Sequence, residues 1–160
     1  MAGTLIRGMW SVAGVAGAAI ALLAAWGLVV GFPGRRPTNL GPRDGALAPC
    51  ARPTHCVSSF VAHGPAAIAP LPAAESPEVA LAHLRRILAA RPRTRIVEAG
   101  ALYLHAEEAS RWWGFVDDLE LLADPAAGVV QVRSASRLGR RDFGVNRARV
   151  EALRAALQAP

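Results

Sequence analysis

The chain of 160 residues contains no lysine, one tyrosine and only two cysteines, and these scarcities restrict what the protein can do. Every one of the 18 lysine-or-arginine positions is an arginine, 12 acidic residues are interleaved with them, and the net charge is +6. A nucleic-acid groove rarely avoids lysine altogether, so the basic charge gives little support for such a partner. No aromatic RNA-binding signature and no zinc-finger ligand spacing is present. We therefore expect no nucleic-acid partner.

Familiar catalytic motifs are also missing. The sequence has no Gly-x-Ser-x-Gly elbow, no phosphate-binding Gly-Lys loop and no His-Glu-x-x-His helix. We accordingly expect no catalytic residues of a known type, no metal ion and no cofactor.

One long stretch, residues 9–32, carries no charge and follows a short tail of residues 1–8. It is long enough to cross a bilayer as a helix. A cleaved secretory signal is the alternative. However, the apolar run exceeds a usual signal core, and neither a small-residue cleavage site nor an acylation cysteine follows it. The sequence therefore predicts an uncleaved transmembrane signal anchor.

Two signals conflict over which side of the membrane the rest of the chain occupies. One arginine precedes the span and three follow it, which favours a cytoplasmic domain. Cys50 and Cys56 are separated by five residues in a proline-rich stretch, which favours a disulfide in an oxidising compartment. Two unrelated thiols, or a zinc site shared with His55, are the alternatives, although the zinc site would have at most three clustered ligands. We expect the disulfide and an extracytoplasmic domain.

The remaining pattern predicts a proline-rich linker over residues 33–55 and an α+β domain over residues 56–160. The expected order is β-α-β-β-β-β-α, with short turns between the last four strands. This gives a two-layer fold with a four- to five-stranded antiparallel sheet and two helices on one face, preceded by the transmembrane helix. Ser76 and Pro77 are expected to begin the first helix, and Asn146 to cap the last.

Two adjacent aspartates lie in a predicted strand, "FVDDLEL", over residues 115–121. Alternation puts Asp117 on the apolar face with Phe115 and Leu119, and Asp118 on the other face. A register that pairs Leu122 with Val129 would set Asp117 opposite Ser134. The same register sets Asp118 opposite Arg133 as a partly exposed ion pair, while Leu104 pairs with Phe115 in the preceding hairpin.

Three roles compete for Asp117. It can accept hydrogen bonds from Ser134 or from the loop that precedes the last helix, it can pair with Arg137 or Arg147, or it can be a catalytic or metal-binding acid. Buried acids are usually paired, so we expect a structural role. Asp117, Asp118 and Asn146 then form a structural polar cluster.

The loop after the last strand is rich in arginine and glycine, and an arginine-lined loop at a helix start suits a carboxylate, a phosphate or a lipid headgroup. A solvated basic surface is the alternative. The candidate ligand-binding residues are Arg133, Ser134, Ser136, Arg137 and Arg147. The competing hypothesis is a hydrolase-like enzyme that uses Asp117 or Asp118 with His105. Because the two aspartates are expected on opposite faces, we prefer a non-catalytic binding or assembly module.

Three stretches resemble a family of domains of unknown function, numbered 1499: "CVSS" at 56–59, "FVDDLE" at 115–120 and "RSASRLGRRDFGVNRARVE" at 133–151. The resemblance covers about residues 47–158, and this chain departs from it at Arg140. Members occur in bacteria and photosynthetic eukaryotes, often behind a signal, lipid anchor or membrane span, with a similar cysteine pair. The resemblance implies one folded domain outside the cytoplasm, here at a bacterial inner membrane, and it implies no activity. The expected partners are a membrane, through the N-terminal helix, and an anionic or lipid ligand; the sequence does not identify a protein partner.

Overall fold

A computed structural model describes residues 14–22 and 34–159 in two compact units, 1–32 and 33–160. In the first unit, residues 14–22 form helix α1. Within the described ranges, no helix is long and apolar enough to cross a membrane. The prediction that a transmembrane helix precedes the α+β domain is therefore wrong. The rest of its span, and the tail at 1–8, lie outside the described residues.

The second unit contains one antiparallel sheet and two helices. Its elements are β1 (Cys56–Ser58), β2 (Leu71–Pro72), α2 (Pro77–Ala89), β3 (Thr94–Ala99), β4 (Tyr103–Ala109), β5 (Val116–Asp124), β6 (Val129–Ser136) and α3 (Val145–Gln158). The strands lie in the order β1-β6-β5-β4-β3, and β2 also pairs with β6. The expected four to five strands are thus corrected to six. The additional strand is β2. It pairs with residues 129–130 of β6, whereas β1 pairs with residues 133–135 along the same edge of that strand.

The inner face of the sheet packs on the two helices. Leu104, Leu119 and Leu121 of the sheet are at most 1% exposed and lie in one cluster with Leu84 of α2 and Val150 of α3. Full burial of each such side chain contributes about 1.5–3 kcal/mol. This cluster fixes the helices against the sheet, as the alternating strand pattern predicted.

The observed register differs from the predicted one by an even number of residues. Asp117 lies opposite Ser136, and Leu119 lies opposite Ser134. Leu104 pairs with Leu121 because residues 110–115 form the β4–β5 connection rather than part of a strand. An even shift leaves every side chain on its predicted face but changes its cross-strand partner.

The outer face of the sheet is covered by residues 34–50, here named the covering segment. Arg36 of this segment binds Glu107, and the Gly41 backbone N–H donates to Glu120. Leu47 packs with Tyr103 and Leu122 in a second apolar cluster. Polar outer-face residues that the sequence suggested would meet water are therefore buried, and their carboxylates must find partners within the protein.

Candidate functional site

The covered outer face contains an ion-pair network centred on Asp118. This residue is 1% exposed, and its carboxylate accepts hydrogen bonds from Arg137 at 2.8 and 2.7 Å and contacts His105 Nε2 at 2.8 Å. Burial raises the pKa of Asp118, but the bonds from Arg137 and His105 outweigh burial and hold that pKa below its usual range. The expected partly exposed pair between Asp118 and Arg133 is thus wrong, because in the observed register Arg133 lies opposite Glu120 and donates to its carboxylate.

Glu107 joins this network to the covering segment. Its carboxylate accepts from Arg36, Arg95 and Arg137, each at 2.6 Å. Burial raises its pKa, yet the three guanidinium groups outweigh that effect and lower the pKa to about 2. Glu107 therefore remains ionised throughout the physiological range.

His105, Glu107 and Asp118 place one ligand atom each within 4.8 Å of one another, as a metal site would. The guanidinium of Arg137 lies 2.6 Å from Glu107 and 2.7 Å from Asp118. A cation placed among these three ligands would meet that positive charge at close range. The arrangement therefore suits a closed ion-pair network rather than a metal centre.

A third outer-face carboxylate, Glu120, is fully buried. It accepts hydrogen bonds from Arg133 at 2.7 Å, from the Tyr103 hydroxyl at 2.9 Å and from Gly41 N at 2.8 Å. Burial and the adjacent Glu120 charge both raise the pKa of Tyr103. The phenol consequently remains protonated and keeps donating to Glu120.

On the inner face, Asp117 pairs with an arginine of α3. Its Oδ2 accepts from Arg149 at 2.6 Å, and the same guanidinium donates to Ser134 and to Glu108, both at 2.9 Å. Burial lowers the pKa of Arg149, but the charges of Asp117 and Glu108 outweigh burial and raise it. The proposed partners Arg137 and Arg147 are not the ones observed, since Arg137 lies on the outer face and Arg147 donates to the carbonyls of residues 65 and 67.

Asn146, expected as a helix cap, lies instead in the first turn of α3 and is fully buried. Its amide nitrogen donates to Ser136 and to Asp142, both at 2.9 Å. Asp142 does the capping, because it accepts from the backbone N–H groups of Gly144 and Asn146 at 3.0 and 3.1 Å. Burial raises the pKa of Asp142, and these bonds outweigh burial and lower it.

An open cleft lies at the end of the sheet where β4 and β6 finish and β5 begins; this end is named the loop end. The cleft has a volume of about 350 Å³ between residues 110–115 and the β6–α3 loop, residues 137–144. Its walls include Trp113, Phe115, Leu138, Phe143 and Val145, all of them partly or largely solvent-exposed. The rings of Trp113 and Phe115 stack at 6.4 Å.

Phe143 is the most unusual residue of the cleft. Its side chain is 95% exposed, and its backbone adopts φ 53°, a left-handed conformation that is rare for an aromatic residue. Exposure of an aromatic ring combined with backbone strain gives no advantage to the folded chain alone. Both features are typical of residues that contact a ligand or partner.

The candidate ligand-binding residues do not converge on this cleft. Arg133 and Ser134 are buried on opposite faces, Arg137 is held by acids, and Arg147 binds backbone. Only Ser136 lines the cleft, together with Asp117 from the predicted polar cluster. Sequence reasoning missed the aromatic walls because it placed Trp113 and Phe115 in a buried strand. The signal that could have revealed them is the sequence of residues 112–115, in which three large aromatic residues surround a glycine that favours a turn.

The disulfide segment supports the same loop. Cys50 and Cys56 form a disulfide in the structure, with Cα atoms 5.6 Å apart. Between them, Thr54 donates to the Arg140 carbonyl at 2.7 Å and accepts from Asp142 N at 3.3 Å. The disulfide-closed loop therefore packs against the cleft wall that carries Phe143.

Comparison with known proteins identifies a family but assigns no activity or ligand. A family model described as "Protein of unknown function (DUF1499)" matches residues 46–157, which is more than half of the chain and includes the cleft, both aspartates and the disulfide. Neither the curated proteins nor the solved structures include a match to this chain. On the extent of that match, the chain belongs to the DUF1499 family.

Proposed function

We propose that this domain is a non-catalytic, extracytoplasmic binding module whose loop-end cleft takes an amphiphilic ligand with an acidic head group. The observation that carries the proposal is the open, aromatic-walled cleft of about 350 Å³. Ligand sites are usually concave and mostly apolar, with a few polar groups that set orientation. This cleft has that composition, since Ser136 and Asp142 lie among its apolar walls.

Electrostatics favour an acidic rather than a basic head group. The two carboxylates that line the cleft are already satisfied, Asp117 by Arg149 and Asp142 by backbone and amide donors. Arg141 lines the cleft and Arg140 precedes it in the same loop; both are exposed and have no ion-pair partner among the described residues. An arginine guanidinium binds a carboxylate or phosphate through paired hydrogen bonds.

Placement outside the cytoplasm is supported by the disulfide. Bonds of this kind persist in oxidising compartments and are rare in the cytosol. Because the disulfide segment braces the cleft wall, the same compartment would favour the binding-competent form.

The hydrolase alternative rests on the contact between His105 and Asp118. A general acid–base pair must reach its substrate, and these side chains are only 3% and 1% exposed beneath the covering segment. Asp118 is also neutralised by Arg137. The geometry therefore favours binding over hydrolysis.

The test uses the full chain and cis-parinaric acid, a fluorescent fatty acid, with its methyl ester as the uncharged comparison. We expect saturable fluorescence enhancement by the acid and weaker binding of the ester. Phe115→Ala should weaken binding of the acid about tenfold, because loss of an aromatic contact in a pocket costs about 1–1.5 kcal/mol.

The matched control is Phe60→Ala, since Phe60 is 39% exposed and lies outside the cleft, whereas Phe115 is 38% exposed within it. The apolar stretch at residues 9–32 can also take up fatty acid, so the informative quantity is the difference between the two variants. Equal affinities for both variants, or no saturable binding, would overturn the proposal.

A further inference from the structure

Exposed arginines gather at the loop end of the second unit. The α2–β3 turn lies there, because Ala109 N bonds the Arg93 carbonyl, and the disulfide segment lies there through Thr54. These connections bring together five exposed arginines that have no ion-pair partner among the described residues: Arg52, Arg93, Arg111, Arg140 and Arg141. The nearby acids are engaged, since Glu108 and Asp117 bind Arg149 and Asp142 caps α3.

The turns at the opposite end of the sheet lack this cluster of arginines. It is formed by the β3–β4 turn at 100–102 and the β5–β6 turn at 125–128, neither of which contains an arginine. Glu98 and Asp124 flank these turns. Unpaired arginines are therefore concentrated at the loop end, whereas the two turns at the other end contain no arginine and are flanked by acids. This distribution orients the domain with its loop end towards an anionic surface.

Large aromatic side chains lie among the loop-end arginines. Trp112 is 72% exposed and does not line the cleft, and the Arg111 guanidinium lies 5.0 Å from the centre of its ring. Phe143 projects from the β6–α3 loop with 95% of its side chain exposed. Aromatic rings beside arginines suit the boundary between lipid head groups and acyl chains, where the rings enter and the cations remain with the phosphates.

We propose that the loop end docks on an anionic lipid bilayer, with Trp112 and Phe143 entering the interface and the five arginines contacting head-group phosphates. This inference concerns the surface around the cleft, with which it shares Arg141 and Phe143, and it does not require the cleft to hold a ligand. A nucleic acid would also match the charge and the rings, but the disulfide favours a compartment without nucleic acid. The bilayer is therefore the occupant that the observations favour.

The test is sedimentation of the full chain with vesicles of phosphatidylcholine alone or of equal parts phosphatidylcholine and phosphatidylglycerol. We expect stronger binding to the anionic vesicles, weakening as salt is raised. The double change Arg140→Gln/Arg141→Gln should weaken binding to anionic vesicles about tenfold or more, since each arginine at a membrane surface contributes to the affinity. All the substituted side chains are exposed, and thermal unfolding checks that each variant is folded.

The matched control is Arg43→Gln/Arg85→Gln, which removes the same charge from exposed arginines that are not among the five at the loop end. Uptake through the apolar residues 9–32 would be equal in the two double variants, so their difference isolates the loop end. Trp112→Ala should weaken vesicle binding while leaving cis-parinaric acid binding unchanged, because Trp112 lies outside the cleft.

Equal binding to neutral and anionic vesicles would overturn the inference, and so would equal effects of the two double variants. A third contrary outcome is that a single-stranded oligonucleotide displaces the protein from anionic vesicles at a concentration below that of the vesicle lipid. The last would identify a nucleic-acid surface. Vesicle binding without binding of the soluble fatty acid would support this inference and contradict the proposed cleft function, so the two can fail separately.

Discussion

Asp117 and Asp118 are adjacent in β5 but belong to two separate ion-pair networks on opposite faces of the sheet. Asp117 binds Arg149 of α3 beside the open cleft, and Asp118 binds Arg137 beneath the covering segment. Arg137 begins the loop that forms the cleft wall, so the outer-face network anchors one end of that wall. The two carboxylates therefore support the same loop from two sides.

Asp118→Asn should destabilise the protein more than Asp117→Asn. Asp118 is 1% exposed, and its loss leaves Arg137 with one fewer buried partner, which costs on the order of 3 kcal/mol. Asp117 is 9% exposed beside the cleft, where water can replace part of the interaction, and its change costs about 1.5 kcal/mol. The measurement is the denaturant midpoint of each full-chain variant. An Asp117→Asn midpoint below that of Asp118→Asn would contradict this order, which reverses the one that the predicted register implied.

Acid should weaken the outer-face network. The pKa of Glu107 is about 2 in the folded chain against an ordinary 4.5, so folding is favoured while Glu107 is ionised. Its stabilisation, on the order of 3 kcal/mol, is present above about pH 4.5 and is lost as the pH falls towards 2. Asp118 acts in the same direction because its pKa is also lowered. Denaturation across this range should show a steeper loss of stability in the wild type than in Glu107→Gln, and parallel curves would refute the assignment.

Gly34→Ala should push the covering segment away from the start of the β6–α3 loop and so destabilise the protein. A β-carbon at Gly34 would lie 2.9 Å from Cβ of Arg137 and 3.1 Å from Leu138. Gly45→Ala is the matched control, because Gly45 has nearly the same φ, 76° against 75°, and its β-carbon would meet nothing within 4 Å. Both variants bear the cost of a left-handed alanine, about 1 kcal/mol, and only Gly34→Ala should lose more. Equal thermal midpoints of the two variants would show that the close approach of Gly34 to Arg137 and Leu138 does not contribute to stability.

Reduction of Cys50–Cys56 should lower both stability and cleft affinity. Opening such a short loop costs about 2 kcal/mol through the gain in unfolded-chain entropy. It also loosens Thr54, which binds the Arg140 and Asp142 backbone. Cys50→Ser/Cys56→Ser, which cannot form the disulfide, should bind cis-parinaric acid more weakly than the oxidised protein. Unchanged affinity with lowered stability would show that the disulfide braces the fold but not the cleft.

Local chemistry determined much of what the sequence alone could predict. Ser76 caps α2 through Val79 N at 3.2 Å, Pro77 occupies the first turn and the helix ends before Pro92, because capping and proline geometry depend on neighbouring residues only. The assignment of Asp117 and Asp118 to opposite faces also follows from the sequence, since strand side chains alternate whatever the partner strand is.

Only the tertiary structure decided which partners these side chains meet. A two-residue shift between β5 and β6 preserves every face and so satisfies the same hydrophobic pattern, yet it moves Arg133 from Asp118 to Glu120. Arg149 reaches Asp117 only because α3 packs on the inner face. The covering segment reads as a proline-rich linker, but its packing on the outer face depends on contacts with residues more than 70 positions away, as between Arg36 and Glu107. Local propensity carries no information about such distant contacts, and they determine which carboxylates are buried and which aromatic rings remain open to a ligand.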